Sequence, residues 1–203
     1  MKRRVAVRQP RKTILIFCEG ERTEPEYLNA LRHQPWVRDI AAVDLRVQSK
    51  RGGLAPRTLV SHAVDAWHKT LSEAAEIDEV WCVFDVEWPQ NHPGLLDAVE
   101  LAQRSGVLLA ISNPCFELWL VLHFQDCGAW LDNDHASQLR RRLDRSDDKG
   151  IDAIAYMSLV HEAARRARDL ETRHRSNGTS FPHDNPSSGM HRLIATIEQD
   201  RTP

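Results

Sequence analysis

Four apolar runs recur in the first half of the chain, each separated from the next by a stretch of helical periodicity. The runs are TILIFC (13–18), VDLRVQ (43–48), EVWCVFD (79–85) and GVLLAIS (106–112). The stretches between them, at 24–33, 56–74 and 94–105, carry apolar residues three and four positions apart, which is typical of helices with one buried face. This alternation predicts a mostly parallel α/β sheet flanked by helices. The alternating polarity of VDLRVQ places that strand near an edge of the sheet.

The pattern changes after residue 112. The apolar stretch NPCFELWLVLHF (113–124) predicts a helix, further helices are predicted at 137–145, 151–175 and 190–199, and no strand-like run follows. The segment 175–189 is rich in Pro, Ser, Gly and Asn and is predicted to be a loop. We therefore expect a basic arm at 1–11, an α/β core at 12–112 and a C-terminal helical extension at 113–203 packed on the core.

Composition and charge narrow the protein class only a little. With 203 residues, 41% hydrophobic and 28% charged, the chain can bury a substantial core, which excludes disorder throughout. The formal net charge of -2 leaves nucleic-acid binding open, because a polyanion needs only a local basic face. The basic arm is either a solvated tail or a segment that follows a phosphate backbone.

Cysteine spacing and the length of the apolar runs bear on the compartment. The four cysteines show no CxxC spacing, and three of them lie in apolar runs, so we expect buried free thiols and a cytoplasmic protein. The apolar run that follows the basic arm is too short for a signal sequence or a membrane span, so we expect no contact with membranes.

Three carboxylates follow the ends of predicted strands. Glu19 comes directly after the first run, and Asp85 and Glu87 come at and after the end of the third. The carboxyl ends of parallel strands share one edge of a sheet, and in an extended segment the i, i+2 spacing of Asp85 and Glu87 puts both side chains on one side. Clustered carboxylates repel one another, and a hard cation such as Mg²⁺ or Mn²⁺ relieves that repulsion. The alternative is that each acid is an ordinary loop-capping or solvated group.

Several stretches resemble a known family. A strand ending in Glu-Gly and a second strand ending in Asp-x-Asp are the signature of the Toprim fold, and here they are EG at 19–20 and DVE at 85–87. Glu87 stands in place of the second Asp, which keeps the charge and lengthens the arm. More specifically, CEGERTEPEYL (18–28), SNPCFELWLVLHF (112–124) and NPSSGMHRLI (185–194) resemble the RloB-like family of bacterial Toprim proteins.

The resemblance implies a Toprim-like core and a metal-dependent nuclease. Such an enzyme would use Mg²⁺ or Mn²⁺ to cleave DNA or RNA in bacterial anti-phage defence, alone or beside an ATPase partner protein. It implies that Glu19, Asp85 and Glu87 bind the metal and act in catalysis. It adds Glu24 as a further ligand, with Glu21 as the competing residue. Glu24 also stands near a predicted helix start, where the helix dipole alone stabilises a carboxylate.

The resemblance also points to residues outside the strand ends. Glu117 is a further candidate for catalysis, because it lies on an apolar helical segment, where an acid is costly unless it is paired, bound to a metal or facing water. Asn113 is a candidate to orient it and to bind substrate. Lys149 is a candidate to offset charge on the phosphate, and His191 to bind substrate. A solvated lysine and an ordinary surface or core histidine are the alternatives. The candidates for binding substrate phosphates are Arg22, Lys50 and Arg51.

Two other functions compete with the nuclease. The first is a non-catalytic Toprim scaffold that binds a partner, in which the acids are structural or bind one metal without turnover. The second is a phosphate-binding α/β module, which is weaker because neither GxxxxGK[ST] nor GxGxxG is present and QSKRGG (48–53) lacks the Ser or Thr of a P-loop.

Overall fold

Five strands form one sheet in the described part of the chain, which in this computed structural model comprises residues 12–38, 43–49, 54–73, 77–145 and 150–199. The strands are β1 (Lys12–Cys18), β2 (Val43–Ser49), β3 (Glu79–Asp85), β4 (Leu108–Asn113) and β5 (Ser187–Ser188). Their order in the sheet is β2-β1-β3-β4-β5. The helices are α1 (Thr23–Arg32), α2 (Pro35–Arg38), α3 (Pro56–Glu73), α4 (Leu95–Ser105), α5 (Phe116–Phe124), α6 (Asn133–Asp144), α7 (Ala153–Met157), α8 (Val160–Ser176) and α9 (Met190–Gln199). No helix of the described ranges is long and apolar enough to cross a membrane.

The register of the sheet aligns the carboxyl ends of its central strands. β1 pairs in parallel with both β2 and β3, and β3 pairs in parallel with β4, with Cys18 opposite Val83 and Asp85 opposite Ser112. The mostly parallel α/β fold is therefore confirmed, as are the adjacency of β1 and β3 and the edge position of β2. Because the strands run the same way, the residues that follow β1 and β3 meet at one edge of the sheet.

Both faces of the sheet are covered by helices. Alternate residues of β1 and β3, such as Ile14 and Trp81, face a core shared with α5, α8 and α9. The intervening residues, such as Leu15 and Cys82, pack against α3 and α4. Helices of the C-terminal part, together with α1, thus cover this face of β1 and β3, which explains the near-continuous apolar runs of the two strands. All four cysteines are buried and free, as predicted.

Three local features differ from the prediction. The loop predicted at 175–189 contains β5, a two-residue strand antiparallel to β4. Because β5 consists of two polar serines, no apolar pattern in the sequence indicates a strand there. The helix predicted at 151–175 is divided into α7 and α8, although apolar periodicity continues through both. The helix predicted from 113 begins at Phe116, because Asn113 still belongs to β4 and Pro114 disfavours a helical residue before it.

Candidate functional site

Glu19 is held between the end of β3 and the loop that follows it. Its backbone N–H donates to the carbonyl oxygen of Val83 (3.0 Å), and its Oε2 accepts a hydrogen bond from the backbone N–H of Asp85 (3.0 Å). Its Oε1 lies 2.6 Å from Nε2 of His92, an ion-pair distance without hydrogen-bond alignment. Burial raises the pKa of Glu19 to about 7, opposed by the Asp85 N–H and assisted by the charges of Glu87 and Glu24.

Asp85 is the last residue of β3 and carries the most constrained carboxylate of the site. Its Oδ1 is buried and has no hydrogen-bond partner among the described residues. Burial raises the pKa of Asp85 well above its usual range, and the charges of Glu24, Glu19 and Glu117 raise it further. An unpartnered buried carboxylate oxygen is costly, so Asp85 has unused capacity to bind a cation.

Glu24 is a buried acid whose position depends on Gly20. Glu24 is 6% exposed, and Oε1 of its side chain accepts a hydrogen bond from the Gly20 N–H (3.2 Å). A Cβ on Gly20 would lie 2.1 Å from Oε2 of Glu24, so only glycine leaves room for this carboxylate. The N-cap of α1 is Arg22 rather than Glu24. Burial raises the pKa of Glu24, with the charge of Glu117 adding to it, which separates this side chain from an ordinary solvated acid at a helix start.

Glu87 reaches the site by a different route from the one that strand spacing predicts. Its φ is 64°, in the left-handed region, so the extended i, i+2 geometry assumed for Asp85 and Glu87 is wrong. The loop instead folds back on itself: the His92 N–H donates to the carbonyl of Val86 (3.2 Å), and Asn91 Nδ2 donates to the carbonyl of Glu87 (2.7 Å). This turn brings Oε2 of Glu87 within 3.5 Å of His92 Nε2.

His92 is the site residue that sequence reasoning missed. It stands in the turn-forming stretch QNHPG shortly after the two acids, and no spacing rule connects it to Glu19. The only available signal was a histidine in a loop that leaves the carboxyl end of a strand. In the fold its Nε2 lies within ion-pair distance of both Glu19 and Glu87.

Glu117 extends the acidic group from the helical side. It lies in the first turn of α5, and its charge raises the pKa of both Asp85 and Glu24. Helix α5 begins directly beyond the end of β4, which is why an acid in its first turn lies near the strand ends. We call the group of Glu19, Glu24, Asp85, Glu87 and Glu117 the acidic cluster.

The acidic cluster suits a hard divalent cation in its chemistry. Carboxylate oxygens are the protein ligands that Mg²⁺ and Mn²⁺ prefer, and the unpartnered Oδ1 of Asp85 is a free donor of this kind. In the part of the chain that the structure describes, however, no three His, Cys, Asp or Glu side chains are arranged so that they would enclose an ion. The donor set therefore fits a metal, and its side chains need to rotate to close around one.

The basic residues assigned to substrate are only partly placed. The side chain of Arg22 is 59% exposed, its Nε contacts Glu26 Oε1 at 2.9 Å, and its guanidinium lies against Gly150. An exposed ion pair of this kind is weak, so Arg22 stays available to a phosphate. Lys50, Arg51 and Lys149 lie outside the described residues.

Asn113 and His191 do not join the acidic cluster. Both amide hydrogens of Asn113 are used, by the Pro182 carbonyl (2.9 Å) and Asp184 Oδ1 (3.0 Å), and its oxygen accepts from Trp88 Nε1 (2.8 Å). It fastens the loop before β5 rather than orienting Glu117, so that expectation is wrong.

His191 is buried elsewhere in the fold, 4% exposed. It contacts the Ser188 carbonyl (2.7 Å) and Glu171 Oε2 (3.2 Å). It lines a cavity to which no member of the acidic cluster contributes. The structure therefore does not place His191 beside the candidate metal ligands.

The raised pKa of Glu19 predicts how metal-free stability depends on pH. Between its ordinary value of 4.5 and about 7 the folded state holds a proton that the unfolded state has lost, so stability falls as pH rises through this range. The full effect of one such carboxyl is about 3 kcal/mol. Denaturant unfolding in chelator should show the fall, and Glu19→Gln should reduce it, whereas Glu100→Gln on the exposed face of α4 should not. An unchanged pH slope in Glu19→Gln would contradict this.

Comparison with known proteins gives one match. A family model described as RloB-like protein matches residues 14–197. No curated protein and no solved structure matches the chain.

Proposed function

Because the chain belongs to the RloB-like family, we propose that it is a Mg²⁺- or Mn²⁺-dependent nuclease that hydrolyses phosphodiester bonds of DNA or RNA. The observation that carries the proposal is the buried, unpartnered Oδ1 of Asp85, a carboxylate whose pKa is raised by burial and by the charges of Glu24, Glu19 and Glu117. An arrangement that raises the pKa of several carboxyls at once is unfavourable without a cation, and such arrangements are typical of functional sites. The resemblance of the motifs further supports a cytoplasmic role in anti-phage defence, alone or with an ATPase partner.

The chain's own residues divide the work by position. The residues that would hold the metal are Glu19, Asp85 and Glu87, and Glu24 and Glu117 would supply further carboxylates if two ions bind. A bound ion supplies positive charge that activates a water molecule and offsets charge on the scissile phosphate. The fixed hydrogen bonds to Glu19 from the Asp85 N–H and to Glu24 from the Gly20 N–H orient two carboxylates in advance. Arg22, at the exposed rim beside Gly150, holds a substrate phosphate.

A specific observation favours the non-catalytic scaffold as the second candidate. No three metal-binding side chains converge among the described residues, and His92 already approaches both Glu19 and Glu87. In that case the histidine offsets the charge of the acids, and the site is structural or binds one ion without turnover.

Metal titration and cleavage assays separate the two functions. We expect Mn²⁺ to bind the chelator-treated protein and to raise its melting temperature, because binding to the folded state alone is stabilising. We also expect labelled single- and double-stranded DNA and RNA, incubated with Mg²⁺ or Mn²⁺, to be cut in at least one form. Binding and stabilisation without cleavage of any substrate would favour the scaffold. Absence of metal binding would overturn the nuclease and leave only a scaffold whose acids are structural.

Glu117→Gln tests whether α5 completes the site. We expect metal-dependent cleavage to fall by about tenfold and the apparent Mn²⁺ affinity to decrease, since removing an outer ligand or its charge has effects of this size. The chelator-treated variant should keep the parent's fold by circular dichroism, because the amide nearly matches the carboxylate in size. Glu198→Gln on α9 is the matched control. Parental metal affinity and cleavage in Glu117→Gln would confine the site to Glu19, Asp85 and Glu87.

A further inference from the structure

A cavity of about 690 Å³ lies along the unpaired edge of β4, away from the acidic cluster. β5 covers only the end of this edge, opposite Ser112 and Asn113. Helix α4 forms one wall of the cavity, and α8 and α9 form the other. The helical layers on the two faces of the sheet thus extend past β4 and leave a slot between them.

The backbone of β4 offers hydrogen bonds to this slot. The carbonyl of Ile111 points toward β5 and accepts from the Gly189 N–H (2.8 Å). Backbone groups two residues apart on a strand point to the same edge, so the N–H and C=O of Leu109 point the same way, into the slot. Among the described residues neither group has a partner on that side. An unpaired edge of this kind is a template for another strand.

The dimensions of the slot match a short strand. A strand residue occupies about 3.3 Å along the chain, about 4.8 Å between strands and about 10 Å between layers, or about 160 Å³. The cavity volume therefore corresponds to about four residues. Gly189 already lies against Ala110 and Ile111, so a segment of this length would pair with β4 at Leu109 and continue past Val107, which also lines the cavity.

The two walls differ in polarity. The α4 side is mostly apolar and includes Val99 and Ala102. The loop before β5 contributes Phe181 and Asp184, and Asp184 accepts a hydrogen bond from Asn113. The opposite wall carries Arg175 and Arg192 around a single carboxylate, Glu171, at 3.7 and 3.4 Å. Since side chains of a strand alternate between faces, an inserted strand would meet a mostly apolar wall and the wall that carries Arg175 and Arg192 in turn.

We propose that this slot binds an extended segment of another polypeptide, which adds a strand to the edge of β4 and alternates apolar residues with an acidic one. Backbone hydrogen bonds to Leu109 supply affinity, and the two walls supply specificity. A second folded copy of this chain fits less well, because the edge lies at the bottom of a slot rather than on an open face. The proposal does not depend on the nuclease function.

A selection from a phage-displayed library of random linear peptides on the full chain tests the proposal. We expect selected peptides to alternate apolar and polar residues and to include an acid. N-methylation of every second backbone amide of such a peptide should weaken binding at least about tenfold when those amides face β4. N-methylation of the remaining amides should leave binding unchanged, because they lie on the opposite edge of the peptide. The Leu109 amide should exchange rapidly with solvent in the free chain and become protected when the peptide binds.

Charge reversal supplies the matched control. Arg192→Glu should weaken the binding of acidic peptides. Arg165→Glu, on an exposed part of α8 outside the slot, should leave that binding unchanged. Failure to select any peptide, insensitivity to N-methylation, or an unchanged Leu109 amide would overturn the proposal. So would a free chain that sediments as a dimer with the Leu109 amide already protected, since a second copy would then fill the slot.

Discussion

Replacing Asp85 with asparagine is expected to lower metal-dependent cleavage by at least about a hundredfold. Mutation of residues that support a metal ligand reduces activity by about 10- to 100-fold, and the loss of a ligand itself should reach the upper end of that range. The reason is that Asp85 offers a buried carboxylate oxygen without a partner, at the point where Glu24, Glu19 and Glu117 all raise its pKa. Asparagine keeps the size of the side chain and removes its charge. In chelator the variant should melt at a higher temperature than the parent above neutral pH, because repulsion among buried acids is reduced.

The measurement pairs cleavage with melting. Both proteins are melted with and without Mn²⁺, and we expect stabilisation by Mn²⁺ to be lost in Asp85→Asn. Asp65→Asn, on the exposed side of α3, should behave like the parent in every assay. Full cleavage activity in Asp85→Asn would remove this residue from the site and would leave its buried charge without a functional explanation.

Replacing Gly20 with alanine is expected to abolish most of the activity and to change stability little. A Cβ at this position would lie 2.1 Å from Oε2 of Glu24 and would push the carboxylate away. A displacement of about 1 Å at a reacting site can reduce the rate by about a hundredfold. The displaced group is the end of a flexible side chain, and the backbone of residue 20 is not left-handed, so the free energy of unfolding should change by no more than about 1 kcal/mol.

Two further variants make this prediction specific. Shortening the acid with Glu24→Asp in the Gly20→Ala background should restore part of the activity, because the carboxylate withdraws by one methylene. Gly178→Ala should have the opposite profile: its φ of 68° makes alanine cost about 1 kcal/mol or more, but a Cβ at this position after α8 would touch no neighbouring side chain. Parental activity in Gly20→Ala would show that the position of the Glu24 carboxylate does not matter for the reaction.

The alternation of apolar runs and helical periods was enough to determine the layered α/β fold. Continuous apolar runs such as TILIFC can be buried only between two helical layers, and the alternating VDLRVQ suits an edge, so strand type and approximate place follow from local pattern. The same reasoning brought Glu19 and Asp85 to one edge, because parallel strands share the direction of their ends. These features depend on periodicity and chain direction, and both are properties of the sequence.

Tertiary structure alone decided the rest of the site. His92 approaches Glu19 because a loop closes through backbone hydrogen bonds and a left-handed Glu87, which no spacing rule encodes. The polar groups of Asn113 and His191 suit a functional role and a structural role equally well. Only packing shows that Asn113 binds the loop before β5 and that His191 lines the cavity beside β4. Contacts between residues distant in sequence depend on how whole helices and strands pack. The sequence therefore identifies candidate residues by their chemical type, and the fold determines which of them come together.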